Sequence, residues 1–260
     1  MRILVMAGTS DATKIIKFLH EDENNFIIAT TITDYGAYIA KKAGANETIS
    51  KALKIEDFSK LIEEKNIELL IDATHPFAKI ATQTAIKTTE KTNIKYIRFE
   101  RPNTILPKNK NIIKVKDFQE ANITIKKLLT KKEDKIMHLA GVMTLPSIVK
   151  EIPPEQIIVR VLPNNFSITK TLENQIPPEN IIAMQGTYSE KLNKAILEEY
   201  NTIGIITKES GNSGGAENKI NAALALNKKV ILVTRPYIQE LENKIIVHSI
   251  EDLKNSKIIK

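Results

Sequence analysis

Short, continuously apolar runs recur along the whole chain, and they constrain its fold more than any other feature. Each run predicts a β-strand, and most are apolar at every position rather than at alternate ones. Strands of this kind are buried on both faces, as in a parallel sheet covered by helices. The predicted strands are residues 2–6, 26–31, 69–73, 95–99, 112–116, 135–139, 157–162, 181–184, 204–207, 230–234 and 244–248.

Amphipathic stretches separate the predicted strands. Residues 11–20 place Ala12, Ile15, Ile16 and Leu19 on one helical face, at the spacing of about 3.6 residues per turn. Similar helices are predicted at residues 56–64, 77–89, 117–129, 190–199 and 217–226. Alternation of strands and helices from end to end predicts an α/β fold with mostly parallel sheets.

Sequence echoes at a nearly constant offset indicate two similar halves. Three pairs of segments, 133 or 134 residues apart, resemble each other: 3–8 and 136–141, 97–102 and 231–236, and 112–116 and 245–249. We predict two Rossmann-like halves at residues 1–110 and 134–240. A further strand and helix follow each half, at 111–133 and 241–260. Because the first of these leads into the second half, the halves can exchange strands, and we expect a cleft between their sheets.

Composition excludes several functional classes. The chain has no cysteine, which excludes disulfides, thiolate metal sites and a cysteine nucleophile. The apolar run at the N-terminus is too short for a signal peptide, and none reaches the about 18 residues of a membrane span. We therefore expect a cytoplasmic protein. The net charge of +7 arises from 38 Lys and Arg interspersed among 31 acidic residues, and aromatic residues make up 5%. This pattern favours a small anionic ligand over nucleic acid.

Residues 6–12, Met-Ala-Gly-Thr-Ser-Asp-Ala, follow the first strand and open the first helix. Gly8 permits a tight turn, Ser10 can cap the helix, and free amides at a helix start favour a phosphate. The segment matches the G-x-G-x-x-G fingerprint poorly, since Met6 replaces a glycine and no acidic residue ends the second strand. We predict cofactor binding at Gly8, Thr9 and Ser10. The alternative is a capped helix after a tight turn.

Residues 72–78, Asp-Ala-Thr-His-Pro-Phe-Ala, lie where a buried strand ends, with Pro76 preset for the first helical position. Ligands of open α/β sheets bind at this edge. Asp72, Thr74 and His75 can position a substrate or supply a proton there, and we predict Asp72 and His75 to be catalytic. The alternative is that Thr74 caps the helix while Asp72 and His75 bond to backbone groups. The four dispersed histidines do not have metal-ligand spacing, so no metal site is predicted.

Residues 207–219 have the corresponding position in the second half, between a buried strand and a helix. Their glycines let backbone N–H groups approach an anion. We predict that the cofactor also binds here, at Lys208, Ser210, Gly211, Gly214 and Gly215. The alternative is a flexible connection.

A further turn at residues 185–190 contains Gly186, Tyr188 as a candidate proton donor, and Ser189 as a helix cap. Arginine at strand ends is notable in a chain that otherwise prefers lysine. It indicates binding of carboxylate or phosphate for some of these arginines and structural ion pairs for the others. The arginines concerned are Arg98, Arg101, Arg160 and Arg235.

Together these motifs resemble the precorrin-6A reductase family of cobalamin biosynthesis. The resemblance extends over nearly the whole chain, and its most specific parts are residues 72–78 and the Thr-Lys-x-Ser-Gly of 207–211. Two departures are visible: Ala7 stands where the family usually has glycine, and Thr187-Tyr188 replaces a common Pro-Phe. The matching segments are residues 3–12, 72–78, 96–102, 185–186, 189–193, 207–211, 214–215, 217–219, 222–223 and 235–236.

The resemblance implies an oxidoreductase that transfers hydride from NADPH or NADH to a carbon–carbon double bond of precorrin-6A or its cobalt complex, giving the 6B product. Cobalt would then enter with the tetrapyrrole substrate and would not be bound by the protein. Neighbouring enzymes of the pathway are candidate partners. The residues expected to bind substrate are Thr74, His75, Arg98, Arg101, Arg160, Gly186 and Tyr188.

Two alternatives stay open from the sequence. One is another NAD(P)-dependent reductase, of the short-chain or nucleotide-sugar type, against which the weak glycine fingerprint counts. The other is a non-catalytic nucleotide-sensing module, which would bind a coenzyme without consuming it.

Overall fold

The computed structural model describes residues 1–211 and 215–259. Its strands are β1 (Arg2–Met6), β2 (Phe26–Thr31), β3 (Glu47–Ser50), β4 (Leu69–Asp72), β5 (Lys95–Phe99), β6 (Ile112–Val115), β7 (Ile136–His138), β8 (Ile157–Val161), β9 (Ile181–Ala183), β10 (Gly204–Lys208), β11 (Lys229–Val233) and β12 (Ile245–Val247). Its α-helices are α1 (Ser10–His20), α2 (Asp34–Lys42), α3 (Ile55–Glu64), α4 (Lys79–Thr92), α5 (Phe118–Leu128), α6 (Leu145–Val149), α7 (Asn165–Glu173), α8 (Glu190–Glu199), α9 (Ala216–Ala225) and α10 (Ile250–Asn255).

The chain divides into two compact units. Unit 1 comprises Met1–Pro102 and Tyr237–Lys260, and unit 2 comprises Asn103–Pro236. Each unit contains a six-stranded sheet in which the paired strands run parallel. The predicted α/β class with parallel sheets is therefore confirmed.

The sheet of unit 1 has the strand order β12-β5-β4-β1-β2-β3. Successive side chains of a strand point to opposite faces, and β1 fills both: Ile3 and Val5 join the core cluster that contains helix α1, whereas Leu4 and Met6 join the one that contains α3. Burial on both faces explains why this strand is apolar at every position. Met6 is in register with both Thr30 and Asp72, so β1, β2 and β4 end at one edge.

The sheet of unit 2 has the strand order β6-β11-β10-β7-β8-β9. Met137, Ile158 and Ile205 of its central strands pack with Ile220 of α9 in one buried cluster. His138 at the end of β7 is in register with Ile206 of β10 and with a residue of β8. The carboxyl ends of these three strands therefore meet at one edge.

The edge strands are exchanged between the two halves of the sequence. β6 follows β5 in the chain but pairs with β11, and β12 follows β11 but pairs with β5. With this exchange the two strand orders correspond position by position, β1 with β7, β4 with β10 and β12 with β6. The echoes in the sequence thus mark equivalent strands, and the predicted exchange is confirmed.

Some elements were not predicted because they lack the pattern on which the prediction depends. Strand β3 has four residues, none of them fully buried, so it forms no continuous apolar run. Helix α2 buries only Ala40 and so has no apolar stripe. Helices α6 and α7 were also missed, and each has nine residues or fewer.

Candidate functional site

A cavity of about 490 Å³ lies at the carboxyl edge of the sheet of unit 1. Its walls are the segments that follow β1, β2, β3 and β4, together with the first turns of α4. Much of the surface is apolar, with Phe58, Ile80 and Ala81 among the contributors. Lys51 and His75 can carry positive charge, and none of the described lining residues is acidic. The cavity therefore suits a ligand with apolar rings and anionic groups.

The loop after β1 forms one wall of this cavity. Gly8 adopts a φ of +103°, which favours glycine, and a Cβ there would meet nothing within 4 Å, so a ligand can approach its backbone closely. Ser10 was predicted to cap α1, and this was wrong. Thr9 is the cap: its Oγ1 accepts a hydrogen bond from the Ala12 amide at 3.1 Å and donates one to the Ala73 carbonyl at 2.8 Å. Ser10 is instead the exposed first residue of the helix.

An ion pair neutralises the one acidic residue at the start of α1. Arg101 Nη2 lies 2.6 Å from Asp11 Oδ2, and both side chains are about nine-tenths buried. An unpaired carboxylate there would repel an anion that approaches the helix N-terminus. Arg101, predicted to bind substrate, therefore lies beside the loop that follows β1 and compensates a buried charge.

Asp72 and Arg98 form a fully buried ion pair. The two residues are in register on the neighbouring strands β4 and β5, and Arg98 Nη1 lies 2.8 Å from Asp72 Oδ1. The same carboxylate oxygen accepts hydrogen bonds from the Thr74 amide and hydroxyl, at 3.0 and 2.7 Å. Tyr96 donates to the other oxygen at 3.1 Å, and burial together with the Asp72 charge raises the tyrosine pKa.

This network fixes the loop after β4. Asp72 is 0% exposed and Arg98 1% exposed, so neither side chain is at the cavity surface. Arg98 Nη1 also donates to Thr74 Oγ1 at 3.0 Å, and Thr74 does line the cavity. Thr74 does not cap α4, which begins at Lys79 after Ala78, not near Pro76 as predicted. The hydroxyl of Thr74 is occupied by the ion pair instead.

His75 lines the cavity next to Thr74. Its Nδ1 accepts a hydrogen bond from the Phe77 amide at 3.2 Å, and the two rings lie 5.8 Å apart between centroids. Since Nδ1 accepts, a neutral imidazole carries its proton on Nε2. The backbone contact and the cavity position occur together, so both readings of His75 made from the sequence remain compatible with its geometry.

In unit 2, β10 ends at Lys208, and burial lowers the pKa of this lysine. Ser210 and Gly211 follow and are buried. Gly214, another predicted cofactor residue, lies outside the described residues. Gly215 adopts a φ of +62° immediately before α9, and a Cβ there would lie 3.3 Å from the side chain of Thr187. Gly215 is thus close to the turn that carries Gly186 and Tyr188.

Arg160 and Tyr188 are neighbours in unit 2. The guanidinium of Arg160 lies over the Tyr188 ring, 5.5 Å from its centroid, and Nη1 donates to Asn193 Oδ1 at 2.8 Å. Burial lowers the pKa of Arg160. Gly186 adopts a φ of +153°, and a Cβ there would lie 3.2 Å from the Tyr188 ring. Ser189 caps α8 as predicted, accepting from the Leu192 amide.

The sequence analysis missed two buried titratable residues at this edge. His138 Nε2 contacts Thr144 Oγ1 at 3.0 Å, and burial lowers the pKa of His138 to about 3. Lys219 on α9 is 7% exposed, and burial lowers its pKa to about 7, with smaller contributions from Arg160 and Lys208. A signal existed for Lys219, because helical spacing places it on the apolar face of α9 with Ala216 and Ala223.

The described residues contain neither a metal-binding cluster nor a membrane-spanning helix. No three His, Asp or Glu side chains in residues 1–211 and 215–259 are grouped so that they could hold a metal ion. Within the same ranges, no helix is both long and apolar enough to span a membrane.

Comparisons with known proteins agree over almost the entire chain. The family model of precorrin-6x reductase CbiJ/CobK matches residues 2–256. Cobalt-precorrin-6A reductase of Methanothermobacter thermautotrophicus is 42% identical over 97% of this chain and 82% of its own length. The enzyme of that name from Methanocaldococcus jannaschii is also 42% identical, over 92% of each chain. A solved structure of CobK precorrin-6A reductase superposes with a TM-score of 0.76, covering 98% of this chain and 96% of its own, at 18% identity. That structure supports the fold.

Proposed function

The chain belongs to the precorrin-6x reductase family CbiJ/CobK, and from this membership we propose which residues bind the coenzyme and which deliver the proton. The family's reaction is the reduction of a carbon–carbon double bond in precorrin-6A or its cobalt complex, in cobalamin biosynthesis. A nicotinamide coenzyme supplies the hydride for one ring carbon, and a proton must reach the neighbouring carbon. The protein therefore has to bind the coenzyme, hold the macrocycle against it and provide the proton.

The coenzyme binds in the cavity of unit 1, and this cavity is the observation that carries the proposal. Its volume of about 490 Å³ is in the usual range of small-molecule sites. Gly8 offers an unobstructed backbone, and the first N–H groups of α1 have no partner within the helix. With Asp11 neutralised by Arg101, this helix start favours a pyrophosphate. Gly8, Thr9 and Ser10 thus form the phosphate side of the site.

The preferred coenzyme is NADPH. NAD-specific sites usually bind the adenosine ribose with a carboxylate at the end of the second strand. Here β2 ends in Thr30 and Thr31, which line the cavity, and Thr33 follows. Lys51 is the cation at this side, paired with Asp57 only across 3.9 Å and at an exposed position. A threonine-rich edge with a lysine suits a 2′-phosphate better than a ribose diol.

His75 delivers the proton or orients the ring that receives it. Its Nδ1 accepts from the backbone, which leaves Nε2 as the proton-bearing atom. Asp72 and Arg98 act through the loop: their buried pair holds Thr74 and so fixes the position of His75. We assign Asp72 and Arg98 as positioning residues, because neither is exposed in the cavity.

The substrate is the cobalt complex, and the protein works in the cytoplasm. The relatives from Methanothermobacter thermautotrophicus and Methanocaldococcus jannaschii carry the name cobalt-precorrin-6A reductase, which supports the cobalt form. The biosynthetic role of the family supports the compartment. Association with neighbouring enzymes of the pathway would shorten the transfer of the tetrapyrrole.

The assignment is tested by coenzyme oxidation. Purified protein mixed with cobalt-precorrin-6A is expected to consume NADPH, followed by the absorbance loss of reduced nicotinamide, with a higher kcat/KM than for NADH. Lys51→Ala is expected to reduce the preference for NADPH about tenfold, the value of one lost charge-assisted contact. Metal-free precorrin-6A serves as the comparison substrate. No oxidation of either coenzyme with either substrate would overturn the assignment.

A further inference from the structure

Two cations at the carboxyl edge of the sheet of unit 2, one buried and one half-buried, have no acidic partner among the described residues. Lys219 is 7% exposed and makes no hydrogen bond or ion pair within residues 1–211 and 215–259. Arg160, half-buried on β8, donates through Nη1 to the amide oxygen of Asn193, which is uncharged. In the described part of the chain, no carboxylate pairs with either residue. Lys208, at the end of β10, adds a third positive charge close enough to act on Lys219.

Such an arrangement lowers the stability of the fold as long as no anion is bound. A buried ammonium group loses its hydration, and a nearby guanidinium adds repulsion. Because Lys219 is only 7% exposed, it keeps less of its hydration than a lysine on a helix surface does. His138 adds no further charge, since burial keeps its imidazole neutral near pH 7. Arg160 and Lys219 are therefore positive charges for which the described part of the chain supplies no carboxylate.

Asparagine side chains connect the elements that carry Arg160 and Lys219 to the same turn. Asn218, next to Lys219 on α9, donates to the Tyr188 carbonyl at 2.9 Å. Asn193 donates to the same carbonyl at 3.2 Å and accepts from Arg160. The Tyr188 ring lies against the Arg160 guanidinium. Both cations are thus attached to one turn, which is the preorganisation that a binding site needs.

We propose that Arg160 and Lys219 form an anion-binding site that takes a peripheral carboxylate of the tetrapyrrole substrate. This rests on the proposed function. The planar guanidinium matches a carboxylate in two hydrogen bonds, and the lysine contributes a third donor and charge. A phosphate group of the coenzyme offers the same chemistry, and the experiment separates the two sources.

The test compares substrate and coenzyme in the full-length protein. Lys219→Met removes the charge at similar volume, and Lys191→Met, at an exposed position of α8, is the matched control. Lys219→Met is expected to raise the KM for cobalt-precorrin-6A about 10- to 100-fold, the range for a lost hydrogen bond between charged groups. The Kd for NADPH, measured by titrating coenzyme fluorescence, is expected to stay within about twofold of wild type.

Each other outcome overturns part of the proposal. A raised Kd for NADPH with an unchanged KM for the tetrapyrrole would identify the anion as coenzyme phosphate. Unchanged values for both would remove the site altogether. Loss of activity in the wild-type protein would instead contradict the proposed function. Lys219→Arg keeps the charge and is expected to recover most of the substrate affinity, which a misfolded variant would not.

The pH dependence gives a second, independent readout. The charged groups that act on Lys219 are Arg160 of β8 and Lys208 of β10, while His138 of β7 is neutral and Asn193 of α8 is uncharged. Because its pKa is lowered to about 7, Lys219 loses its charge as the pH rises through neutrality. The substrate KM of wild type is therefore expected to rise between about pH 6 and pH 9. Lys219→Arg is expected to abolish this rise, and a rise that persists in that variant would contradict the assignment.

Discussion

The two sheet edges differ in whether their cations are paired with carboxylates. In unit 1, Arg98 pairs with Asp72 at 2.8 Å and Arg101 with Asp11 at 2.6 Å, so each buried cation has a buried carboxylate. In unit 2, Arg160 and Lys219 have no such partner in the described part of the chain. The edges are otherwise equivalent, since their strand orders correspond position by position.

The difference separates charges that shape a site from charges that bind a ligand. In a compensated pair, the charges neutralise each other and their hydrogen bonds are formed before any ligand binds. An uncompensated cation lowers stability until an anion binds, and binding then returns that free energy as affinity. In unit 1 the buried pairs fix the loops that they contact, while Arg160 and Lys219 in unit 2 form the proposed anion site.

The largest expected effect is on the compensated pair of unit 1. Arg98→Met leaves the Asp72 carboxylate buried and unpaired, which is expected to lower the free energy of unfolding by about 3–5 kcal/mol. Urea unfolding followed by circular dichroism measures this. The control is Lys126→Met, which breaks the exposed pair with Glu151 and is expected to cost at most about 1 kcal/mol. Similar losses for the two variants would show that the buried pair contributes no more than a surface pair.

His75→Ala tests whether the cavity of unit 1 contains the proton donor. Removal of a general acid is expected to lower kcat by about 100-fold or more, with little change in the KM for coenzyme. The same change at His20, an exposed residue at the end of α1, is the control and is expected to leave kcat unchanged. Wild-type kcat in a folded His75→Ala protein would restrict His75 to its bond with the Phe77 amide.

The smallest expected effect is a gain in stability, whereas an ordinary core mutation lowers stability. Lys219 has a pKa lowered to about 7 in the folded protein. Between that value and its ordinary pKa the unfolded chain binds more protons, so stability rises with pH. The penalty is full below pH 7 and disappears as the pH approaches about 10. Lys219→Met is therefore expected to raise the melting temperature at pH 7 by about 2–4 °C per kcal/mol relieved.

Differential scanning fluorimetry without ligand measures this gain, with Lys191→Met as the control. The gain over wild type is expected to shrink as the pH is raised towards 10. A lower melting temperature for Lys219→Met at pH 7 would indicate that Lys219 stabilises the fold, and the contrast between the two units would then fail.

Much of the fold could be predicted because buried strands and helices have recognisable apolar patterns in the local sequence. Every apolar run proved to be a strand, and the echo between the segments at 112–116 and 245–249 marked the exchanged edge strands β6 and β12. Strand β3 was not predicted because an exposed edge strand does not require apolar residues. At the site, the loops at both sheet edges were predicted, but Thr9 rather than Ser10 proved to be the cap, since capping depends on backbone conformation at one residue.

The sequence by itself determined the α/β class, the duplication and the loops that end at each sheet edge, because periodic burial and repeated segments are properties of the linear chain. Only the tertiary structure decided which charges are compensated. Arg98 meets Asp72, 26 residues earlier, because parallel register aligns β4 with β5. Lys219 has no acidic partner within residues 1–211 and 215–259, where the charged groups that act on it are Arg160 and Lys208. Charge compensation depends on distances in space, which residue order alone does not specify.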